Sequence, residues 1–262
     1  MPLSRPAEIP RYHKTMQAKP NLSTPRPRSV VCLSGGMDSC VTAALAARET
    51  EAYGIHFSYG QRTEARELSA ARAIAEHLGL RQFLPLRIDL FRIIGGSALT
   101  DSSIEVPNAG TTEAIGSKIP VTYVPFRNAH FLSAAVSWAE VLGATRVYIG
   151  AVEQDSSGYP DCRPAYYEAF QRLIQTGTKE GGIQVVTPLI RLSKTEIIRL
   201  GLESDAPLEL TWSCYRDEHL ACGVCESCAL RLRAFSAAQV PDPIPYQKPG
   251  SAAHSPAHNF QA

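Results

Sequence analysis

The sequence predicts an α/β fold: a mainly parallel, doubly wound sheet followed by a small C-terminal metal-binding lobe. Three observations predict it. Between residues 28 and 205, apolar strand patterns alternate with amphipathic helix patterns, as expected for parallel strands joined by crossover helices. The glycine-bearing loop Ser34-Gly-Gly-Met-Asp-Ser39 follows the first strand directly. Cysteines stand at 214, 222, 225 and 228 in the C-terminal part of the chain.

The first strand is Ser29 to Leu33, a run of small and apolar residues bounded by Pro27 and Gly35. The alanine-rich stretch from Cys40 to Ala46 reads as the helix after the loop. Ala52 to Phe57 is a second strand, Glu64 to Leu78 an amphipathic helix closed by Gly79, and Gln82 to Ile88 a third strand. Arg92 to Pro120 has glycines without periodicity and reads as a long mobile loop over the site, with a short extended piece at Val121 to Pro125. Helices from Ala129 to Leu142 and Arg163 to Thr176 each stop at glycine, on either side of a strand at Arg146 to Gly150. Gln184 to Thr187 reads as an edge strand, and Thr195 to Leu200 as a further helix with Lys194 in its first turn. Proline-rich, aperiodic termini set the boundaries: a disordered arm at 1–27, the α/β domain at 28–205, a helical metal-binding lobe at 206–240 and a disordered tail at 241–262.

The loop carries chemistry. Gly35 and Gly36 can take up positive φ, which turns successive N–H groups toward an anion, and the following helix adds its unpaired N–H groups and positive dipole end. Ser34 and Ser39 add hydroxyl donors. Asp38 would meet phosphate through Mg²⁺, because a carboxylate repels it directly. Such folds bind ligands at the carboxyl ends of their strands, where Tyr59, Gln61, Arg62, Glu153, Asp155, Tyr159, Asp161 and Arg163 also fall.

Cys214, Cys222, Cys225 and Cys228 suit tetrahedral Zn²⁺, and Gly223 permits the tight turn between ligands. A closed four-sulfur site has no open coordination position, so the metal reads as structural. An iron–sulfur cluster is the rival occupant. Disulfides are disfavoured in a chain without a secretion signal. Cys32 and Cys40 read as buried apolar groups, and nothing near Cys162 marks it as a nucleophile.

Composition narrows the partners. A net charge of +1 lacks the footprint of a nucleic-acid coat or a basic membrane binder. No apolar run approaches the length of a membrane span, and the expected location is the cytoplasm.

The ordered set of motifs is specific. The loop Ser34–Ser39, then Tyr59-Gly-Gln-Arg62, Val124-Pro-Phe-Arg-Asn128, Gly150 to Arg163, Thr187-Pro-Leu189, Leu192 to Ile197, Thr211 to Tyr215 and Cys222 to Arg231 resemble the 7-cyano-7-deazaguanine synthase family of the queuosine pathway. That family lies within the PP-loop ATP pyrophosphatase superfamily, with its adenine nucleotide alpha hydrolase-like, Rossmann-like sheet. The resemblance spans about Val30 to Arg233 and implies a ligase that uses ATP with Mg²⁺, ammonia and 7-carboxy-7-deazaguanine, carries bound zinc and acts as a homodimer without a stable nucleic-acid complex. It implies a nucleotide site at Leu33, Ser34, Gly35, Gly36, Met37, Asp38, Ser39, Tyr59, Gln61, Arg62, Arg127 and Asn128. Ser34, Asp38, Ser39, Lys194 and Arg127 would serve the chemistry. Glu153, Asp155 and Asp161 would accept the N–H edge of the base, with Tyr159 stacking and Arg163 on the substrate carboxylate. Met37 stands where the family usually has Gln, Phe126 where Gly is common, and the first cysteine gap is one residue short.

Two other readings share parts of this pattern. A tRNA thiolase would share the loop but should carry a reactive cysteine pair in the α/β domain. A nucleotide-sensing, nucleic-acid-binding protein would use the cysteine lobe as its binding module.

Overall fold

A computed structural model describes residues 26–109, 119–153 and 158–247. Its sheet has five parallel strands, β1 (Arg28–Cys32), β2 (Glu51–Ser58), β3 (Phe83–Arg87), β4 (Arg146–Ile149) and β5 (Gln184–Val186), in the order β3-β2-β1-β4-β5. β1 is central, and Val31 pairs with Gly54 on one side and Tyr148 on the other. Chain order reverses between β1 and β4, so a crevice opens beyond the carboxyl ends of these two strands.

Alternation along β1 builds two cores. Val30 and Cys32 face α4 (Arg127–Leu142) and α5 (Pro164–Gly177) through Leu132, Ala135, Phe170 and Ile174. Val31 and Leu33 face the opposite layer, formed by α1 (Met37–Glu49), α2 (Glu64–His77), α6 (Lys194–Glu203) and α7 (Glu226–Ala238). Fully buried parallel strands of this kind read as continuous apolar runs, which is why β1 and β4 are legible in the sequence. α6 opens on a capping box: Ser193 Oγ accepts the Glu196 N–H while the Glu196 carboxylate accepts the Ser193 N–H.

The structure departs from the expected elements in three places. Val121 to Pro125 is not extended; the Tyr123 N–H closes a turn onto the Pro120 carbonyl and the Arg127 N–H closes another onto Val124. The Arg92 to Pro120 segment is anchored over its described part. A five-residue helix, α3 (Leu90–Ile94), buries Phe91, and Ala98, Leu99 and Val106 are buried beyond it. Finally, order continues past residue 240, the expected start of the disordered tail. Ile244 is buried, the Ala221 N–H donates to the Pro245 carbonyl, and the Gln247 N–H donates to the Ala221 carbonyl. The strap is held by an ion pair between Arg231, 2% exposed, and Asp242, with Nε–Oδ2 at 2.7 Å and Nη2–Oδ1 at 2.9 Å. Residues 1–25 and 248–262 of the expected arm and tail lie outside the described residues.

Phe126, at the N-cap of α4, has φ +57 and ψ 24 and is 60% exposed. The left-handed region costs an L-residue about 1–2 kcal/mol, partly offset on replacement by the unfolded-state entropy of glycine. Phe126→Gly should therefore stabilise the fold by about 0.5–1 kcal/mol. Urea unfolding checks this, with an unchanged m-value and a raised midpoint expected.

Candidate active site

The crevice holds a cavity of about 280 Å³. Its floor is the loop between β1 and α1. Gly35 has φ +90, and a Cβ there would lie 2.4 Å from the Glu67 carbonyl oxygen, so only glycine lets α2 approach this closely. A Cβ on Gly150, just past β4, would lie 2.9 Å from the Asp38 carbonyl. The loop is thus clamped between two elements. No side chain caps the N-terminus of α1, so its first N–H groups lack intrahelical partners, and its first residues Met37, Asp38 and Ser39 line the cavity. Ser34 Oγ donates to Ser39 Oγ at 3.0 Å, and Ser39 Oγ donates to the Gly36 carbonyl at 2.9 Å.

Asp38 and Lys194 meet across the cavity, Nζ to Oδ2 at 2.5 Å. Asp38 Oδ1 is buried and has no hydrogen-bond partner among the described residues. A buried, half-satisfied carboxylate beside an anion cradle is a fitting ligand for a divalent cation. Arg127 enters from the first turn of α4, donating from Nη1 to Tyr59 Oη at 3.0 Å and stacking 5.6 Å from the Tyr59 and Phe131 ring centres. Its Nε is buried without a partner.

Leu33, Ser34, Gly36, Met37, Asp38, Ser39, Tyr59, Gln61, Arg62, Arg127, Asn128, Tyr159 and Lys194 therefore share one cavity wall. Some of these side chains are already occupied. The Arg62 guanidinium donates to the Ala98, Asp101 and Ile104 carbonyls and thereby ties down the segment expected to be mobile. Asn128 donates its N–H to Asp161 Oδ2 at 3.2 Å and its side-chain amide to the Asp161 carbonyl at 3.1 Å. Asp161 thus caps α4 from a buried position, where burial raises its pKa, and it does not line the cavity. Glu153 and Arg163 are exposed and outside the cavity wall; Arg163 is the N-cap of α5. Asp155 lies outside the described residues.

Several wall residues had no motif to announce them. Glu67 and Thr63, four residues apart on α2's first turns, bond through Thr63 Oγ1 and Glu67 Oε1 at 2.8 Å. Burial pushes the Glu67 carboxyl up to about 7. Trp212 and Tyr215, which lie within the motif Thr211 to Tyr215 but were not expected at the site, come from the cysteine lobe. The Trp212 N–H donates to the Gly35 carbonyl at 2.8 Å, and Thr63 Oγ1 lies 3.1 Å from the Cys214 carbonyl. Lobe and loop are one hydrogen-bonded unit. Burial pushes the Cys162 thiol up to about 11 and Cys32 up to about 12. Neither cavity cysteine is the reactive thiolate that a thiolase would need.

The sulfurs of Cys214, Cys222, Cys225 and Cys228 all lie within 4.8 Å of one another. A tetrahedron of Zn–S bonds has edges of roughly 3.8 Å, so this spacing fits one ion, whereas a four-iron cube would push the sulfurs farther apart. N–H groups of Arg216 and Cys222 donate to Cys214 Sγ, and that of Cys225 to Cys222 Sγ. Such donors favour the thiolate a metal requires. The arrangement can hold a metal.

A family model described as queuosine biosynthesis protein QueC matches residues 28–239. The 7-cyano-7-deazaguanine synthase of Acidobacterium capsulatum is 74% identical over 222 residues, covering 84% of this chain and 97% of that protein. The synthase of the same name from Koribacter versatilis is 63% identical over 222 residues, 84% of this chain and 93% of that protein. That of Chlorobium phaeobacteroides is 55% identical over 223 residues, 84% and 97%.

Proposed function

The chain belongs to the QueC family of queuosine biosynthesis, and on that premise we propose that it is a 7-cyano-7-deazaguanine synthase, an ATP-dependent carbon–nitrogen ligase. The observation that carries the chemistry is the uncapped N-terminus of α1 beside the half-satisfied Asp38.

A carboxylate is a poor electrophile for ammonia. The carboxylate of 7-carboxy-7-deazaguanine attacks the α-phosphorus of ATP, and pyrophosphate departs into the loop at Ser34–Ser39. Ammonia then adds to the acyl carbon, a C–N bond replaces the C–O bond to AMP, and the amide forms. Adenylation of the amide oxygen by a second ATP with loss of one N–H proton gives the O-adenylated imidate, and departure of AMP with the second N–H proton leaves the nitrile. Asp38, through Oδ1, would hold Mg²⁺, which when bound offsets the charge of the departing diphosphate. Lys194 and Arg127 balance the remainder, and their fixed positions supply alignment and electrostatic stabilisation.

Tyr159, on the same wall, stacks on the base, while Glu153, Asp155 and Asp161 accept its N–H edge and Arg163 meets the substrate carboxylate. Because Glu153 and Arg163 are exposed and Asp161 caps α4, this assignment requires those side chains to turn toward the bound base. The four cysteines hold a structural Zn²⁺. A homodimer in the cytoplasm, using free ammonia and forming no stable nucleic-acid complex, completes the reading; the net charge of +1 supports its last part. Among the described residues no helix is long and apolar enough to cross a membrane.

Purified protein given ATP, Mg²⁺, ammonium and 7-carboxy-7-deazaguanine should yield the nitrile and AMP by mass spectrometry. ADP in place of AMP, or a product that stops at the carboxylate, would refute the adenylation route.

A further inference from the structure

Resting on that reading, we propose that Glu67 is the ammonium site of the reaction, the carboxylate that takes the proton from the incoming cation and releases ammonia next to the acyl adenylate.

The cavity is otherwise built for anions. Among the described residues that line it, only Asp38 and Glu67 are acids, and Asp38 is held by Lys194. Glu67 has no ion pair among the described residues. Arg62 is occupied by three loop carbonyls and Arg231 by Asp242. Arg127 binds Tyr59 and lies on its ring. A carboxylate beside a site where pyrophosphate departs is repelled by the product, unless a small cation occupies it during turnover.

Glu67 is also fixed in place. Gln61 Nε2 donates to Oε2 at 3.1 Å and Thr63 Oγ1 donates to Oε1 at 2.8 Å. Gln61 is itself locked, accepting the Tyr59 N–H and donating to the Phe57 carbonyl. Each carboxylate oxygen therefore keeps lone-pair capacity beyond one neutral donor. The Glu67 carbonyl packs against the loop at Gly35, and Glu67 lines the same cavity as Asp38 and Lys194.

The protons balance. Ammonium gives one proton to Glu67 and becomes nucleophilic ammonia. As the C–N bond forms and the C–O bond to AMP breaks, the nitrogen's second proton leaves with the AMP oxygen. The charged and titratable groups around Glu67 are Glu64 on its own helix, Arg127 from α4 and Tyr59 after β2. Burial outweighs them and holds the carboxyl near 7, the range that suits a general base.

The test is Glu67→Gln in the zinc-loaded, full-length protein. Pyrophosphate exchange into ATP, dependent on 7-carboxy-7-deazaguanine and run without ammonium, should match wild type, because adenylation does not use Glu67. kcat/KM for ammonium should fall roughly 100-fold or more. In wild type this parameter should rise as pH passes through about 7, where Glu67 ionises, and then level off. In the variant it should instead track free ammonia and keep climbing with pH. Hydroxylamine, already neutral at neutral pH, needs no base and should give the hydroxamate at close to the wild-type rate. An unchanged KM for ammonium, an altered KM for Mg²⁺ instead, or equal loss of exchange and of the hydroxylamine reaction would each overturn the assignment. Absence of exchange in the wild-type protein would overturn the adenylation reading itself, and the assignment with it.

Discussion

Asp38→Ala is expected to lower nitrile formation by roughly 1000-fold, equivalent to about 4 kcal/mol of transition-state stabilisation, while the protein keeps its metal. Asp38 Oδ2 meets Lys194 and Oδ1 has no partner among the described residues. Removal thus deletes both the proposed cation ligand and the carboxylate that holds Lys194. The side chains of the pair are 25% and 14% exposed, so the Lys194 ammonium relaxes toward solvent at modest cost. Asp38→Asn keeps shape and one acceptor but loses the charge, and should be nearly as inactive with a wild-type melting temperature. Steady-state kinetics, metal analysis and thermal unfolding on the same samples check the claim. Activity within tenfold of wild type, or loss of metal in either variant, would contradict it.

Cys222→Ser, or chelation of the wild-type metal, should be the most damaging change to the fold. Cys214, Cys225 and Cys228 are 1% exposed or less, so three thiols would be left in an apolar pocket without the metal proposed for them. Structural zinc sites contribute many kcal/mol to folding of the segment they close. The damage should not stop at the lobe. Trp212 donates to Gly35 and Thr63 reaches the Cys214 carbonyl, so the anion loop and the start of α2 each lose a support when the lobe loosens. Metal analysis, thermal unfolding and equilibrium ATP binding should fall together and recover together when zinc is returned to the chelated protein. A chelated protein that melts and binds ATP like the loaded one would disprove this coupling.

The sheet was legible because its central strands β1, β2 and β4 are buried on both faces and the helices α2, α4 and α5 stop at or next to glycine. Strand and helix limits at Arg146, Leu142 and Glu64 emerge where those signals are strong. The loop at Ser34–Ser39 was legible for a chemical reason, since two adjacent glycines between a strand and an alanine-rich helix have few other uses. What was hidden depended on tertiary contact. α3 is five residues long and owes its existence to the burial of Phe91. The order beyond residue 240 depends on Arg231 finding Asp242, a pairing invisible in a proline-rich segment. The site divides the same way. Ser34, Asp38, Ser39, Tyr59, Gln61, Arg62 and Arg127 converged on one cavity and Glu153, Asp161 and Arg163 did not, whereas Glu67 looks like any acid in the first turns of a helix. Its environment, not its sequence position, makes it unusual. Asp161 illustrates the converse, an acid at a strand end whose oxygen meets the helix backbone of α4.

The strap at 241–247 has a practical consequence for anyone shortening this chain. Arg231 also donates to Thr211 and Ser213, so a truncation ahead of Asp242 strands a guanidinium in the interior beneath the loop that carries Trp212. A shortened chain keeps this interior ion pair only if it retains Asp242, and keeps the contacts to Ala221 only if it retains Pro245 and Gln247.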